Sequence, residues 1–202
     1  MSSNLIGRSA ALLTVVFFLA SFTTASGQRE TTLTKAKRTE LLNTVEAVNY
    51  RNHLVDKLGG KLNITDGASN AISVTGDGKT VICEIVSQFV TLRSGNVEQI
   101  SIRITENNVV QEVNLVQYAN GDLGTLEGDK LVTYTLSNTS AACVAALAGN
   151  GPSCTACRNK LNTCFSNNRV VKIIGCLLRN FDGSCLSCGY QLDAIVACVL
   201  NR

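Results

Sequence analysis

Tryptophan is absent from this 202-residue chain, and histidine, methionine and proline occur once each. With a single imidazole, His53, a serine or cysteine nucleophile has no choice of base, and no G-x-S-x-G elbow is present. His53 also stands in a helical pattern without a cysteine or carboxylate set beside it, so we read it as a solvated helix-face residue. Aromatics make up 5% of the chain and the formal net charge is +3, which leaves little for base stacking or a basic nucleic-acid stripe. No stretch reaches the ~18 uninterrupted apolar residues of a membrane-spanning helix. Gly76-Asp77-Gly78-Lys79 is too short for a phosphate loop and fits a hairpin turn. These absences predict a non-enzyme with no cofactor, no metal, no nucleic-acid partner and no evident small-molecule substrate.

Cysteine is what the chain has in excess. Eight of its nine cysteines fall in the last 62 residues, as Cys143, Cys154, Cys157 and Cys164, then Cys176, Cys185, Cys188 and Cys198. Each set contains one CxxC. Such spacing in a short segment describes a small domain held by disulfides, because so few residues cannot bury enough apolar surface alone. The eight allow 105 pairings, and the duplicated spacing suggests only that equivalent cysteines pair equivalently.

The N-terminus agrees with an oxidising destination. Arg8 precedes an apolar run from Ala10 to Ala20, and Ala25-Ser26-Gly27 offers small residues for cleavage, the pattern of a signal peptide over residues 1–27. An uncleaved anchor is the alternative. The expectation is a soluble, secreted protein with two glycan acceptors, Asn63 and Asn138, if the host glycosylates.

Charge divides the mature chain. Residues 28–60 carry +2, residues 61–140 carry −4 and residues 141–202 carry +4. An acidic middle and a basic tail favour docking of one on the other, and their separation would free a cationic module for anionic surfaces. Solubility alone produces the same split.

Residues 38–58 read as one amphipathic helix with Leu41, Val45, Val48, Val55 and Leu58 on a face and Gly59-Gly60 ending it. From Ala71 to Leu136 the apolar period is two, with turns at Gly76-Asp77-Gly78, Arg93-Ser94-Gly95-Asn96, Glu106-Asn107-Asn108 and Asn120-Gly121-Asp122. A meander of four or five antiparallel strands packed on the first helix follows, so residues 28–60 and 61–140 form one α+β unit. Cys83 lies within it and reads as a buried free thiol, the alternative being a bridge to another chain.

After Asn138-Thr139-Ser140 helical spacing returns, and a domain boundary is expected there. Val170, Ile173, Ile174, Leu177 and Leu178 form an apolar stripe, with Arg169, Lys172 and Arg179 on the cationic side. Cys188, Leu192, Ile195 and Val199 repeat the pattern. Breaks at Gly149-Asn150-Gly151-Pro152 and Asp182-Gly183-Ser184 precede the two CxxC pairs, with Ser153 and Ser184 as candidate caps. The fold class is therefore α+β, an N-terminal helix on an antiparallel meander, followed by a small disulfide-rich all-α domain at residues 141–202. Cys176 falls on the basic side of its helix, which leaves the stripe free to seek another surface.

Two metal or redox readings fail on spacing. Cys157 and Cys185 are separated by 27 residues, beyond the roughly 15–20 usual between zinc knuckles, and four cysteines would be left over. A thioredoxin-like CxxC needs alternating strands and helices around it, which are missing.

The order of signal, acidic region and cysteine-rich helical tail, with the CxxC-containing pattern of Cys143 to Cys198, resembles the halocin-type cysteine-rich bacteriocin precursors. The likeness covers about a third of the chain, and Arg8 stands alone where that family has a twin-arginine signal. It implies export, cleavage near Ser140 and toxicity towards competing cells. The expected function is then a secreted precursor whose cationic C-terminal helices act on membranes once an acidic shield is removed. The alternative is an uncleaved secreted structural or protein-binding protein, favoured by the lack of a dibasic site before Cys143. A saposin-like lipid binder is a third reading, though that fold uses six cysteines. The partner is accordingly a membrane surface or another protein.

Overall fold

The computed structural model describes residues 27–59, 61–76, 78–135 and 152–200. Its centre is a seven-stranded antiparallel meander in the order β1 to β7. The strands are β1 (Gly27–Thr32), β2 (Lys61–Gly76), β3 (Lys79–Leu92), β4 (Gly95–Glu106), β5 (Val109–Tyr118), β6 (Leu123–Glu127) and β7 (Lys130–Tyr134). Two helices, α1 (Lys35–Leu42) and α2 (Val45–Asp56), lie between β1 and β2. The tail supplies α3 (Pro152–Asn162), a 3-10 turn over Thr163–Ser166, α4 (Val170–Asn180), α5 (Gly183–Ser187) and α6 (Leu192–Val199).

The predicted turns join these strands. Asn107 and Asn108 both take left-handed backbone, at φ of 50° and 66°, the conformation that a two-residue hairpin imposes between β4 and β5. The meander has seven strands where four or five were expected. β1 escaped notice because all six of its residues are exposed, so it shows no apolar alternation. It earns its place through backbone pairing with β2 from Gly27↔Thr75 to Thr32↔Asn70.

The single helix expected over 38–58 is two. Asn43 closes α1, and Thr44 at φ −60°, ψ 153° restarts the chain, its hydroxyl accepting the Ala47 N–H. The buried face differs as well. Ala47, Tyr50 and Leu54 turn inward while Val45 is 80% exposed, so the amphipathic reading built on Val45, Val48 and Val55 is corrected. Arg38, a charged residue in this segment, is buried.

Alternation along β3, β4 and β5 sorts their side chains onto two faces. On one, Val86, Val90, Leu92, Val97 and Val116 meet Leu41, Leu42, Tyr50 and Leu54 of α1 and α2. Tyr50 fixes this layer through its hydroxyl, which accepts the Leu126 N–H at 2.7 Å, and Gln99 donates to the Ala47 carbonyl at 2.7 Å. On the other face, Ile72, Val74, Val81, Cys83, Ile85, Ile100, Ile102, Ile104 and Leu115 share one core with the tail. The architecture is helix, sheet, helix in three layers.

The disulfide-rich helical tail thus shares its core with the sheet. The boundary read at residue 140 falls outside the described residues, but the helices beyond 152 bury their apolar sides in the sheet. A segment of this size has too little interior to do otherwise. The expected Ser184 cap is also replaced. Asp182 caps α5, its Oδ1 accepting from the Ser184 and Cys185 N–H groups at 3.0 and 3.3 Å.

Candidate functional site: the covered face of the cysteine-rich tail

Three bridges hold the tail: Cys154–Cys188, Cys157–Cys185 and Cys164–Cys176, with Cα separations of 5.3 to 5.4 Å. Each lies inside the one before it. The pairing is therefore a mirror order in which the first cysteine of each CxxC joins the second of the other, so the equivalent cysteines Cys154 and Cys185 pair equivalently. Cys198 is disulfide-bonded too, while Cys143 lies outside the described residues. Loops of 34, 28 and 12 residues close in this way, and each bridge restricts the unfolded chain by about 3–4 kcal/mol.

None of these three bridges reaches the sheet. Cys83, the one free cysteine among the described residues, is fully buried in β3. Burial, with Glu84 beside it, pushes its thiol up to about 12, so it remains protonated and a poor nucleophile.

The predicted apolar stripe is real and covered. Val170, Ile173, Ile174, Leu177 and Leu178 are each at most 2% exposed, packed in the core that holds Ile72, Ile85 and Ile102. Leu192, Ile195 and Val199 of α6 are buried there as well. Burying the five α4 side chains contributes on the order of 8–15 kcal/mol, an upper bound because the unfolded chain already hides part of this surface. The stripe took the sheet as the surface it lacked.

Charge follows the same seam. Arg169 pairs with Glu98 of β4, whose side chain is 5% exposed. Arg179 lies 3.7 Å from Glu30 of β1. Two of the three cationic side chains thus face acids of the body, as the split in net charge implied, while Lys172 is exposed. Glu98 is held on its other oxygen by the Ser87 hydroxyl at 2.7 Å. A desolvated carboxylate needs such partners.

Several seam residues carry no sequence signal. Gln117 of β5 accepts the Val170 N–H at 2.9 Å, satisfying a free donor at the start of α4, and donates to the Asn168 carbonyl at 2.8 Å. Gln28 donates to the Leu178 carbonyl, and Gln111 donates to Asp193 at 2.9 Å. A Cβ placed on Gly76 would stand 2.6 Å from the Gly183 Cα, so β2 and α5 approach as closely as two glycines allow. Polar residues inside an alternating strand look like solvent-facing positions until the layer that covers them is known.

Two further carboxylates report on this region. Burial raises the Glu106 pKa, nearby Asp193 raises it further, and Lys79 opposes both. Burial also works to raise Asp182, but hydrogen bonds from Lys160 and Ser184 outweigh it and leave the carboxyl below its usual value. Asn63 lies in β2, within a register shift between Lys61 and Thr65, and Asn138 lies outside the described residues. Among the described residues no helix is long and apolar enough to cross a membrane, and no His, Cys, Asp and Glu group is placed to hold a metal ion.

The arrangement is a cationic unit with its own covalent frame, its apolar face down on an acidic sheet. No family model, curated protein or solved structure matches this chain.

Proposed function

We propose that the chain is a secreted, non-enzymatic precursor whose disulfide-framed, cationic tail acts on membranes after release from the α+β body that covers it. One observation carries this reading: the three described bridges close within the tail and none ties it to the sheet. A single cut before Pro152 would leave a crosslinked module whose hidden stripe and basic residues suit an anionic interface. The bridges are also compatible with export to an oxidising compartment. The likeness in layout to halocin-type precursors points the same way.

A second reading rests on the shared core. Because Ile173, Ile174 and Leu177 fill the same interior as Ile72 and Ile102, parting the layers exposes apolar surface on both. This favours a secreted protein that is never cut and uses its surface to bind another protein.

Mass spectrometry of the exported material, followed by dye release from anionic vesicles, separates the two. A fragment beginning near Ala141 or Ala142 that permeabilises vesicles supports the precursor. Full-length protein that leaves vesicles intact overturns it and leaves the second reading.

A further inference from the structure

On the far side of the sheet from the tail, a cleft of about 550 Å³ opens between the α1–α2 pair and an irregular stretch of β2. The register of β2 against β3 shifts between Asp66 and Ser69, and this bulge presents its backbone to α1. Arg38 locks it. From its nearly buried position it donates to the Ala68 carbonyl at 2.8 Å and the Ser87 carbonyl at 2.5 Å. Among the described residues its only carboxylate partner is Asp66 at 3.0 Å, whose side chain is 79% exposed and so poorly placed to neutralise the interior.

Lys35 and Arg51 line the same cleft, and neither makes an ion pair among the described residues. Arg51 reaches only the Leu42 carbonyl at 3.3 Å and Asn43 Oδ1 at 3.4 Å. The cleft is thus lined by three cations and one carboxylate, the exposed Asp66 that pairs with Arg38, while Leu33 and Leu42 give it an apolar wall. A concave site of this size with positive charge at the rim and apolar lining has the character of a ligand pocket. Lys35 and Arg51 thus bring two cations to one cleft with no counter-charge of their own among the described residues.

We infer that this cleft binds a small amphipathic anion, its carboxylate head between Lys35 and Arg51 and its short apolar body against Leu33 and Leu42. Guanidinium suits the head because its planar fork matches a carboxylate. The tail takes no part, so the inference stands apart from the proposed release.

Calorimetric titration of the full mature chain at low salt tests it, with decanoate as the probe and decanol and inorganic phosphate as comparisons. Decanoate should bind saturably at one site. Decanol, which lacks the charge, and phosphate, which lacks the apolar body, should each bind at least about tenfold more weakly. Arg51→Gln and Lys35→Gln should each weaken decanoate by about tenfold, and Lys35→Gln, which removes no side-chain hydrogen bond among the described residues, should leave the thermal unfolding of the unliganded protein unchanged. Decanoate affinity equal to that of the unsubstituted chain in both variants would overturn the assignment, since the probe would then sit elsewhere. Equal binding of decanol or of phosphate alone, or no saturable binding of decanoate, would overturn it as well.

Discussion

Arg169, the residue that precedes α4, meets Glu98 near the start of β4, 71 positions earlier in the chain. Because the Glu98 carboxylate is almost wholly shielded, removing the guanidinium leaves a charge held by the Ser87 hydroxyl alone. Arg169→Gln should cost about 2 kcal/mol in urea unfolding, below the ~3–5 typical of a fully buried pair because Arg169 is itself 35% exposed. The double variant with Glu98→Gln should recover part of the loss. Additive losses would mean that the two groups do not interact.

The approach of Gly76 to Gly183 is a packing limit on how the tail sits. Gly76→Ala puts a methyl 2.6 Å from the Gly183 Cα, against backbone that cannot step aside. Overpacking of this kind costs about 1–3 kcal/mol, and thermal unfolding should fall accordingly. Gly175→Ala is the control, since only the tip of the Arg179 side chain, at 3.8 and 3.9 Å, lies within 4 Å of its Cβ position. Equal melting of the two variants would contradict the close contact.

The two shifted carboxylates predict opposite pH behaviour. Glu106 has its folded pKa raised, so its contribution is present below the unfolded value and is lost as pH rises through the folded one. Glu106→Gln should therefore gain stability relative to the unsubstituted chain between pH 4 and pH 7. Asp182 has its folded pKa lowered, so its contribution is present above the unfolded value and is lost as pH falls through the folded one. Asp182→Asn should accordingly cost stability at pH 7 and little near pH 2. Chemical unfolding of both variants across this range reads the signs directly.

Much of the sheet was legible because Ile100, Ile102 and Ile104 alternate cleanly and Asn107-Asn108 writes its hairpin into the sequence. The stripe from Val170 to Leu178 was legible for the same reason, as a pattern of period 3.6. What covers that stripe was hidden. A pattern names the apolar face of an element and says nothing of its partner, so the tail read as a domain with spare surface instead of a third layer. β1 and the break at Asn43-Thr44 were lost to local polarity, one in a strand with no buried side chain, the other at a cap inside an apparently continuous helix. Arg38 and Gln117 were missed because each is buried by groups far away in sequence. Their charge or polarity pointed outward until the bulge in β2 and the start of α4 supplied partners.

The sulfur framework bears the whole account of a self-contained tail, and alkylation of the denatured, unreduced protein followed by mapping of crosslinked peptides tests it most directly. Cys83 should label, and linked peptides should join Cys154 to Cys188, Cys157 to Cys185 and Cys164 to Cys176. Label on all nine cysteines, or a bridge from Cys83 into the tail, would contradict it.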